Sequence, residues 1–384
     1  MMPDDDAMSA LLRHSPVDVV FGSGRLAELG RHAKAHGARR VLVVTDPGVE
    51  AAGHVARGLE SLASEKLEAI LFNGVVQNPT TNEVAAGREV ARAARIDFIV
   101  AIGGGSSMDC AKGINLLLTN GGEIRDYWGV DRAVTKMLPM IAVPTTAGTG
   151  SEAQSFALIC DAETRRKMAC GVRALPAEGG LRPRVAILDP DLTASQPSEV
   201  AKAVGIDAVA HAVETAGCNA RNDISRAFSR HAWELLAPAF AASIGNQSDS
   251  SVRANMLLGA HLAGVAIENA MLGAAHACAN PLTANYGVVH GVAVGVMLPH
   301  VIRFNAQDHG NPYADLVGEA EALVSIVEEM LRLAGLPNRL SQIGVPRDDL
   351  PELAALAGEE WTCKFNPRPL NVPALLELYE RAYE

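Results

Sequence analysis

Between Gly205 and Asn305 the chain carries four side chains whose types suit one task, holding a divalent cation. The segment Gly205-Ile206-Asp207-Ala208-Val209-Ala210-His211-Ala212-Val213-Glu214 sets Asp207 and His211 four residues apart, hence on one face of a helix. His276 stands in Leu272-Gly273-Ala274-Ala275-His276-Ala277-Cys278-Ala279-Asn280-Pro281, and His290 in Tyr286-Gly287-Val288-Val289-His290-Gly291. One carboxylate and three imidazoles make a nitrogen and oxygen donor set. It suits Fe(II), Zn(II), Mn(II) or Co(II) and is unlike the thiolate sites of soft metals. With room left for a substrate oxygen, such a centre is a Lewis acid.

Each piece alone has a plainer account. Asp-x-x-x-His pairs recur in helices by chance, and a lone histidine among alanines is commonly a hydrogen-bonded core residue. Their joint setting shifts the balance, because all four lie in segments apolar enough to be buried, where an unpaired charge is costly. A divalent cation would neutralise such a cluster.

The elements that must position these residues are framed by composition. At 384 residues, 48% hydrophobic and 20% charged, the chain can bury two sizeable cores. A net charge of -11, with only the short basic clusters Arg39-Arg40 and Arg165-Arg166-Lys167, argues against a nucleic-acid partner. Six cysteines without a C-x-x-C pair point to a reducing compartment and no disulfide framework. The acidic start Met1-Met2-Pro3-Asp4-Asp5-Asp6 lacks the pattern of a signal peptide, and no apolar run reaches membrane-spanning length. A cytoplasmic protein with no membrane partner is expected.

In chain order, residues 1 to about 15 read as disordered, and Val17 to Gly24 as a strand entering a glycine turn. Arg40 to Asp46 reads as a buried strand, with a helix through Val55 to Leu62 after it, then a strand from Lys66 to Phe72. This alternation predicts a parallel sheet with right-handed crossovers. Asp46, at a strand's carboxyl end, suits a ribose diol; before Pro47 it suits a helix N-cap equally well.

Asp97 to Ile102 is a strand, and Gly103-Gly104-Gly105-Ser106-Ser107-Met108-Asp109-Cys110-Ala111-Lys112 opens a helix. Glycines at that junction leave backbone amides open toward a pyrophosphate, although the run is not G-x-G-x-x-G. Met137 to Val143 is a further strand, ending in Pro144-Thr145-Thr146-Ala147-Gly148-Thr149-Gly150-Ser151-Glu152, small hydroxyl and glycine residues fit for a nucleotide cradle. Val185 to Pro190 closes the α/β part, and from about residue 193 the pattern is helical. Residues 1–192 are therefore expected as a dinucleotide-binding α/β domain, and 193–384 as an all-α metal-binding domain.

Together these motifs resemble the iron-containing, or group III, alcohol dehydrogenases, from about Val20 to Asn366-Pro367-Arg368. The resemblance implies a Rossmann-like nucleotide-binding domain followed by a helical domain, and a homo-oligomer, dimer or larger. It implies that Asp207, His211, His276 and His290 are metal ligands, with Fe(II) favoured and Zn(II) the alternative. It places Asp46, Asn78, Gly104, Gly105, Ser106, Asp109, Thr145, Thr146, Thr149 and Lys167 at positions that contact NAD(H). Two residues depart from the family pattern. Ser107 stands where many members have proline, and Asn280 where many have a further histidine near the nicotinamide and substrate, so Asn280 joins the candidate catalytic residues.

The implied activity is hydride transfer between NAD(H) and a small alcohol, aldehyde or ketone, assisted by the metal. Two alternatives are a metal- and NAD-using cyclase or lyase of the kind that dehydroquinate synthases represent, and a non-catalytic binding relative. The Asp-x-x-x-His pair and the Pro144 to Glu152 loop favour the dehydrogenase.

Overall fold

A computed structural model of the chain describes residues 11–173, 180–246, 248–307 and 310–384. The expectation of a disordered lead falls on residues 1–10, outside the described residues, and on residues 11–15, which instead form a turn in which His14 N donates to Leu11 O at 2.9 Å and Ser15 N to Leu12 O at 3.0 Å. The chain divides into two compact units. One holds the residues up to Thr146 together with Gly150–Gln196, the other Ala147–Thr149 together with Pro197–Glu384.

In the first unit the strands are β1 (Asp18–Phe21), β2 (Arg40–Val44), β3 (Glu68–Phe72), β4 (Phe98–Gly103), β5 (Gly129–Val130), β6 (Met140–Pro144), β7 (Phe156–Cys160), β8 (Lys167–Gly171) and β9 (Val185–Leu188). Six of them form a sheet in the order β1-β9-β6-β4-β2-β3, parallel throughout. The helices of this unit are α1 (Leu29–Ala35), α2 (Pro47–Ala51), α3 (His54–Ser64), α4 (Thr81–Ala94) and α5 (Gly105–Asn120).

Successive strand residues point to opposite faces, so each strand feeds two cores. Val41, Val43, Phe98, Val100 and Ile102 pack with Leu29 of α1 and Val55 and Leu62 of α3. Leu42, Val44, Ile99 and Ala101 pack with Val84 of α4 and Met108 and Ile114 of α5. Burial on both faces is why β2 and β4 read as unbroken apolar runs.

The strands depart from the sequence pattern in three places. The strand expected from Lys66 begins at Glu68, because Lys66 itself turns with φ 61°. The strand expected from Met137 begins at Met140. A second sheet, β5-β8-β7, was not expected; in it β7 and β8 pair antiparallel.

The second unit is helical: α6 (Ser198–Gly217), α7 (Asp223–Gly245), α8 (Ser250–Asn269), α9 (Ala274–Tyr286), α10 (His290–Ala306), α11 (Ala320–Ala334), α12 (Leu350–Gly358) and α13 (Val372–Tyr383). At its centre, α6 is buried along its whole length from Gly205 to Gly217 and packs against α7, α8 and α10. Among the described residues no single helix is long and apolar enough to cross a membrane.

Candidate metal centre and dinucleotide loops

Asp207, His211 and Glu214 occupy positions i, i+4 and i+7 of α6, one face of a helix that is otherwise alanine, valine and glycine there. His276 enters from the first turn of α9, and His290 is the first residue of α10. The two helices are joined by a tight turn at Gly287, whose φ of 65° is glycine's region. Gly291 lets α10 approach α6, since a Cβ there would lie 1.8 Å from the Ala203 carbonyl oxygen and 3.3 Å from Asp207 Cβ. The His290-Gly291 pair thus brings an imidazole onto the Asp207 face by removing the side chain beside it.

The three imidazoles converge on one oxygen. Asp207 Oδ1 lies 3.4 Å from His276 Nε2, 3.6 Å from His211 Nε2 and 3.9 Å from His290 Nε2. Donor atoms of Asp207, His276 and His290 all lie within 4.8 Å of one another. His211 stands beside this triad with its ring stacked on that of His276, centroids 4.9 Å apart and planes inclined by 22°. Asp207, His211 and His276 are buried, and His290 is half-buried.

Three observations fit a divalent cation. Two ligands about 2.1 Å from one ion at a tetrahedral angle stand about 3.4 Å apart, close to the spacings around Asp207 Oδ1. Asp207 Oδ1 and His276 Nε2 face each other in the interior without a proper hydrogen bond, polar atoms whose burial is costly unless something satisfies both. Finally, Asp207 and the buried Glu214 form ion pairs only with imidazoles among the described residues. With those imidazoles neutral, as ligation requires, the cluster carries two negative charges that one divalent cation cancels.

The protonation preferences reflect the same crowding. Burial alone would raise the Asp207 carboxyl, but the imidazoles, His211 foremost, outweigh it and hold Asp207 well below the usual carboxylate range. Burial would lower His276, yet Glu214 and then Asp207 push it up to about 9. Burial lowers His211, with Asp207 opposing. Cys278, two residues from His276, is held protonated by burial, so no thiolate joins the donor set.

Glu214 was not picked out from the sequence. Its oxygens accept from Ala275 N at 2.7 Å and contact His276 Nδ1 at very short range. Its signal was available, since it continues the i, i+4 series of Asp207 and His211 by one turn. Asn280, one turn along α9 from His276, donates through Nδ2 to Glu360 Oε2 at 2.9 Å. That partner, 80 residues away, had no sequence signal.

In the first unit most of the expected nucleotide residues gather around the β4–α5 turn. Gly103 has φ 157°, and a Cβ there would lie 2.4 Å from Ser107 Oγ, so only glycine fits. Gly104 is the N-cap of α5 and makes no side-chain cap, which directs the amides of Gly105, Ser106 and Ser107 outward from the helix N-terminus. Asn78, at φ 53°, donates its backbone N–H to Ser106 Oγ at 3.2 Å. Thr145 N donates to Gly103 O at 3.0 Å, and a Cβ on Gly104 would lie 3.3 Å from Thr146 Oγ1.

Asp46 joins this group and is also a cap. Its Oδ1 accepts from Gly48 N and Val49 N at 3.0 and 3.1 Å, and its Oδ2 from Ser107 Oγ at 3.2 Å. Ser107 therefore fastens Asp46 to the glycine turn. Asp109 faces inward, accepting from Ser151 Oγ at 2.8 Å. Lys112 is buried and donates to Ser151 O, Ser151 Oγ and Phe156 O at 2.6, 2.8 and 2.9 Å, tying α5 to the loop after β6. Lys167 begins β8 and lies within electrostatic reach of Asp109. Thr149 is the exception, because Ala147–Thr149 belongs to the helical unit, where a Cβ on Gly148 would lie 2.5 Å from Val204 Cβ.

The chain belongs to the iron-containing alcohol dehydrogenase family. The family model described as iron-containing alcohol dehydrogenase matches residues 16–190, and that described as Fe-containing alcohol dehydrogenase family, C-terminal, matches residues 201–383. Alcohol dehydrogenase 4 of Schizosaccharomyces pombe is 38% identical over 373 residues, covering 94% of this chain and 86% of its own. The NAD-dependent methanol dehydrogenase of Bacillus methanolicus is 31% identical, covering 96% of this chain and 98% of its own. Among solved structures, that of a 1,3-propanediol oxidoreductase matches with a TM-score of 0.90 at 31% identity, over 95% of this chain and 98% of that one. Family membership makes alcohol oxidoreduction the activity and sets aside the cyclase or lyase alternative.

Proposed function

We propose that this protein is a metal- and NAD(H)-dependent alcohol dehydrogenase that also reduces aldehydes or ketones, acting on a small substrate. Asp207, His211, His276 and His290 hold the divalent cation, with Fe(II) favoured and Zn(II) the alternative. The observation that carries the reading is the convergence of three imidazole Nε2 atoms on the buried Asp207 Oδ1 at 3.4, 3.6 and 3.9 Å. When bound, the cation supplies Lewis acidity that favours the alkoxide of an alcohol and polarises a carbonyl.

The chain's own residues do the rest. Asp207 balances part of the cation's charge, and the histidines, fixed on three packed helices, hold their nitrogens in place. The α5 amides at Gly105 and Ser106, beside Gly104, hold the pyrophosphate, with Asn78, Thr145 and Thr146 around them. Asp46 receives the adenosine ribose hydroxyls and disfavours a 2′-phosphate. Asp109, Thr149 and Lys167 complete the cofactor positions that the family pattern supplies. Asn280 orients substrate, and its partner Glu360 brings to that face a carboxylate able to take up a proton, which an amide cannot do.

The relatives named for methanol and 1,3-propanediol support a short primary alcohol or diol as substrate. A cytoplasmic setting accords with six cysteines that are all free, and a homo-oligomer, dimer or larger, is the expected assembly. The test is a screen of short alcohols with NAD+ on anaerobically purified protein. NADH should form mole for mole with the aldehyde or ketone, stop with a chelator and resume with Fe(II) or Zn(II). No turnover with any alcohol or carbonyl, or turnover that returns NAD+ unchanged, would overturn the reading.

A further inference from the structure

We infer that Glu214 is the positioning residue of the metal centre. It binds the Nδ1 proton of His276 and thereby leaves Nε2, the atom facing Asp207, as that ring's lone-pair nitrogen. This rests on the metal site proposed above and adds a residue outside its ligand set.

Glu214 lies on the ligand face of α6, one turn beyond His211, and is buried. Both its oxygens are directed at the first turn of α9, where Oε1 accepts from Ala275 N at 2.7 Å and Oε2 meets His276 Nδ1. The chain makes room for it there. The N-cap of α9 is Gly273, which offers no side-chain cap, and a Cβ at Gly273 would lie 3.3 Å from Glu214 Oε1. A carboxylate from another helix thus shares the cap's place at the positive end of α9 with Asn366, whose Oδ1 accepts from Ala274 N at 3.3 Å.

The consequence for His276 follows from imidazole chemistry. A neutral ring has one donor nitrogen and one acceptor, and a carboxylate can only accept, so the proton sits on Nδ1. Nε2 is then a bare acceptor, and it is Nε2 that stands 3.4 Å from Asp207 Oδ1. A ring free to take the other tautomer would present N–H to the ion for part of the time. The same contact holds the ring plane, since Nδ1 is anchored to α6 and the ring is stacked on His211.

The plainer account is that Glu214 only caps a buried helix end. Glu214→Gln separates the two, because its amide oxygen can still accept from Ala275 N while its NH2 then faces Nδ1 and forces the proton onto Nε2. The measurements are Zn(II) affinity by chelator competition, the melting temperature without metal, and 15N NMR of histidine-labelled, Zn(II)-loaded protein. Zn(II) affinity of the folded protein should fall about 10- to 100-fold, in addition to any loss of metal-free melting temperature from the broken His276–Glu214 pair. The parent's slowly exchanging His276 Nδ1–H signal should be lost. Unchanged Zn(II) affinity with a lowered metal-free melting temperature would overturn the inference and leave a cap. If the variant does not fold, the Zn(II)-loaded parent decides: a protected Nδ1–H at His276 supports the inference, and ligation through Nδ1 overturns it. A parent that binds no Zn(II) overturns the metal centre itself, a distinct result.

Discussion

Asp46 is the residue whose two readings, cap and ribose contact, can be pulled apart by one pair of substitutions. Asp46→Asn keeps an oxygen for the Gly48 and Val49 amides and removes the charge; asparagine caps helices as well as aspartate does. Asp46→Ala removes both. A 2′-phosphate carries roughly -1.5 to -2 charges. At about 5 Å from a half-buried carboxylate the repulsion runs from about 1 kcal/mol at the dielectric of bulk water to about 5 kcal/mol at an effective dielectric of about 20, a factor of at least roughly 5. Asp46→Asn should lower the ratio of kcat/KM for NADH over NADPH by that factor and leave the melting temperature unchanged. Asp46→Ala should lower the ratio similarly and also cost about 1 kcal/mol, roughly 2 to 4 °C. The assay is reduction of one aldehyde with each cofactor, with thermal melts of all three proteins. A parent that prefers NADPH, or an unchanged ratio in Asp46→Asn, would show that Asp46 is only a cap.

Other expectations follow from single contacts. Asn280→Ala should lower kcat several-fold, on the order of 1 kcal/mol for one hydrogen bond, whereas Asn280→His should add an ionisation near neutrality to the pH profile of kcat. Superimposable profiles of equal height would put Asn280 outside the active site. Gly291→Ala should destabilise the protein by about 1 to 3 kcal/mol and weaken metal binding, because the new Cβ meets Ala203 O and forces α10 away from Asp207; unchanged melting and metal affinity would contradict this. His300, on α10, is lowered to about 4 by burial and then by Arg303 and Arg381. As pH falls the unfolded chain takes up this proton first, near 6.5, so the contribution is intact above that pH and is lost between about 6.5 and 4. The loss is at most about 3 kcal/mol. His300→Gln should flatten that part of the pH dependence of the denaturant midpoint, and an unaltered slope would refute the assignment.

The parallel sheet is legible in the sequence because its strands are covered on both faces. Val41-Leu42-Val43-Val44 and Phe98-Ile99-Val100-Ala101-Ile102 have no polar side to confuse with a helix face. The small sheet escapes because Phe156–Cys160 and Lys167–Gly171 are short, carry cysteine, lysine and glycine, and are matched by pairing that no local pattern records. In the helical unit the spacing of Asp207, His211 and Glu214 can be read from one segment, since a helix fixes which residues share a face. The approach of His276 and His290 cannot, because it depends on how α9 and α10 pack on α6, and the only local trace is the glycine beside His290. Asp46 shows the limit at one residue: its position fits a cap and a ribose contact alike, and the geometry supplies the cap together with a tether to Ser107.

The central claim is that Asp207 and the three histidines hold one divalent cation on which NAD(H) turnover depends. Metal-free protein titrated anaerobically with Fe(II) or Zn(II), followed by both NADH oxidation and melting temperature, tests it most directly. Activity should rise from none and break at about one equivalent per chain, with stability rising in step because the ion binds only the folded site. Asp207→Ala should show neither response. Full turnover by the metal-free protein, or an undiminished response in Asp207→Ala, would contradict the claim.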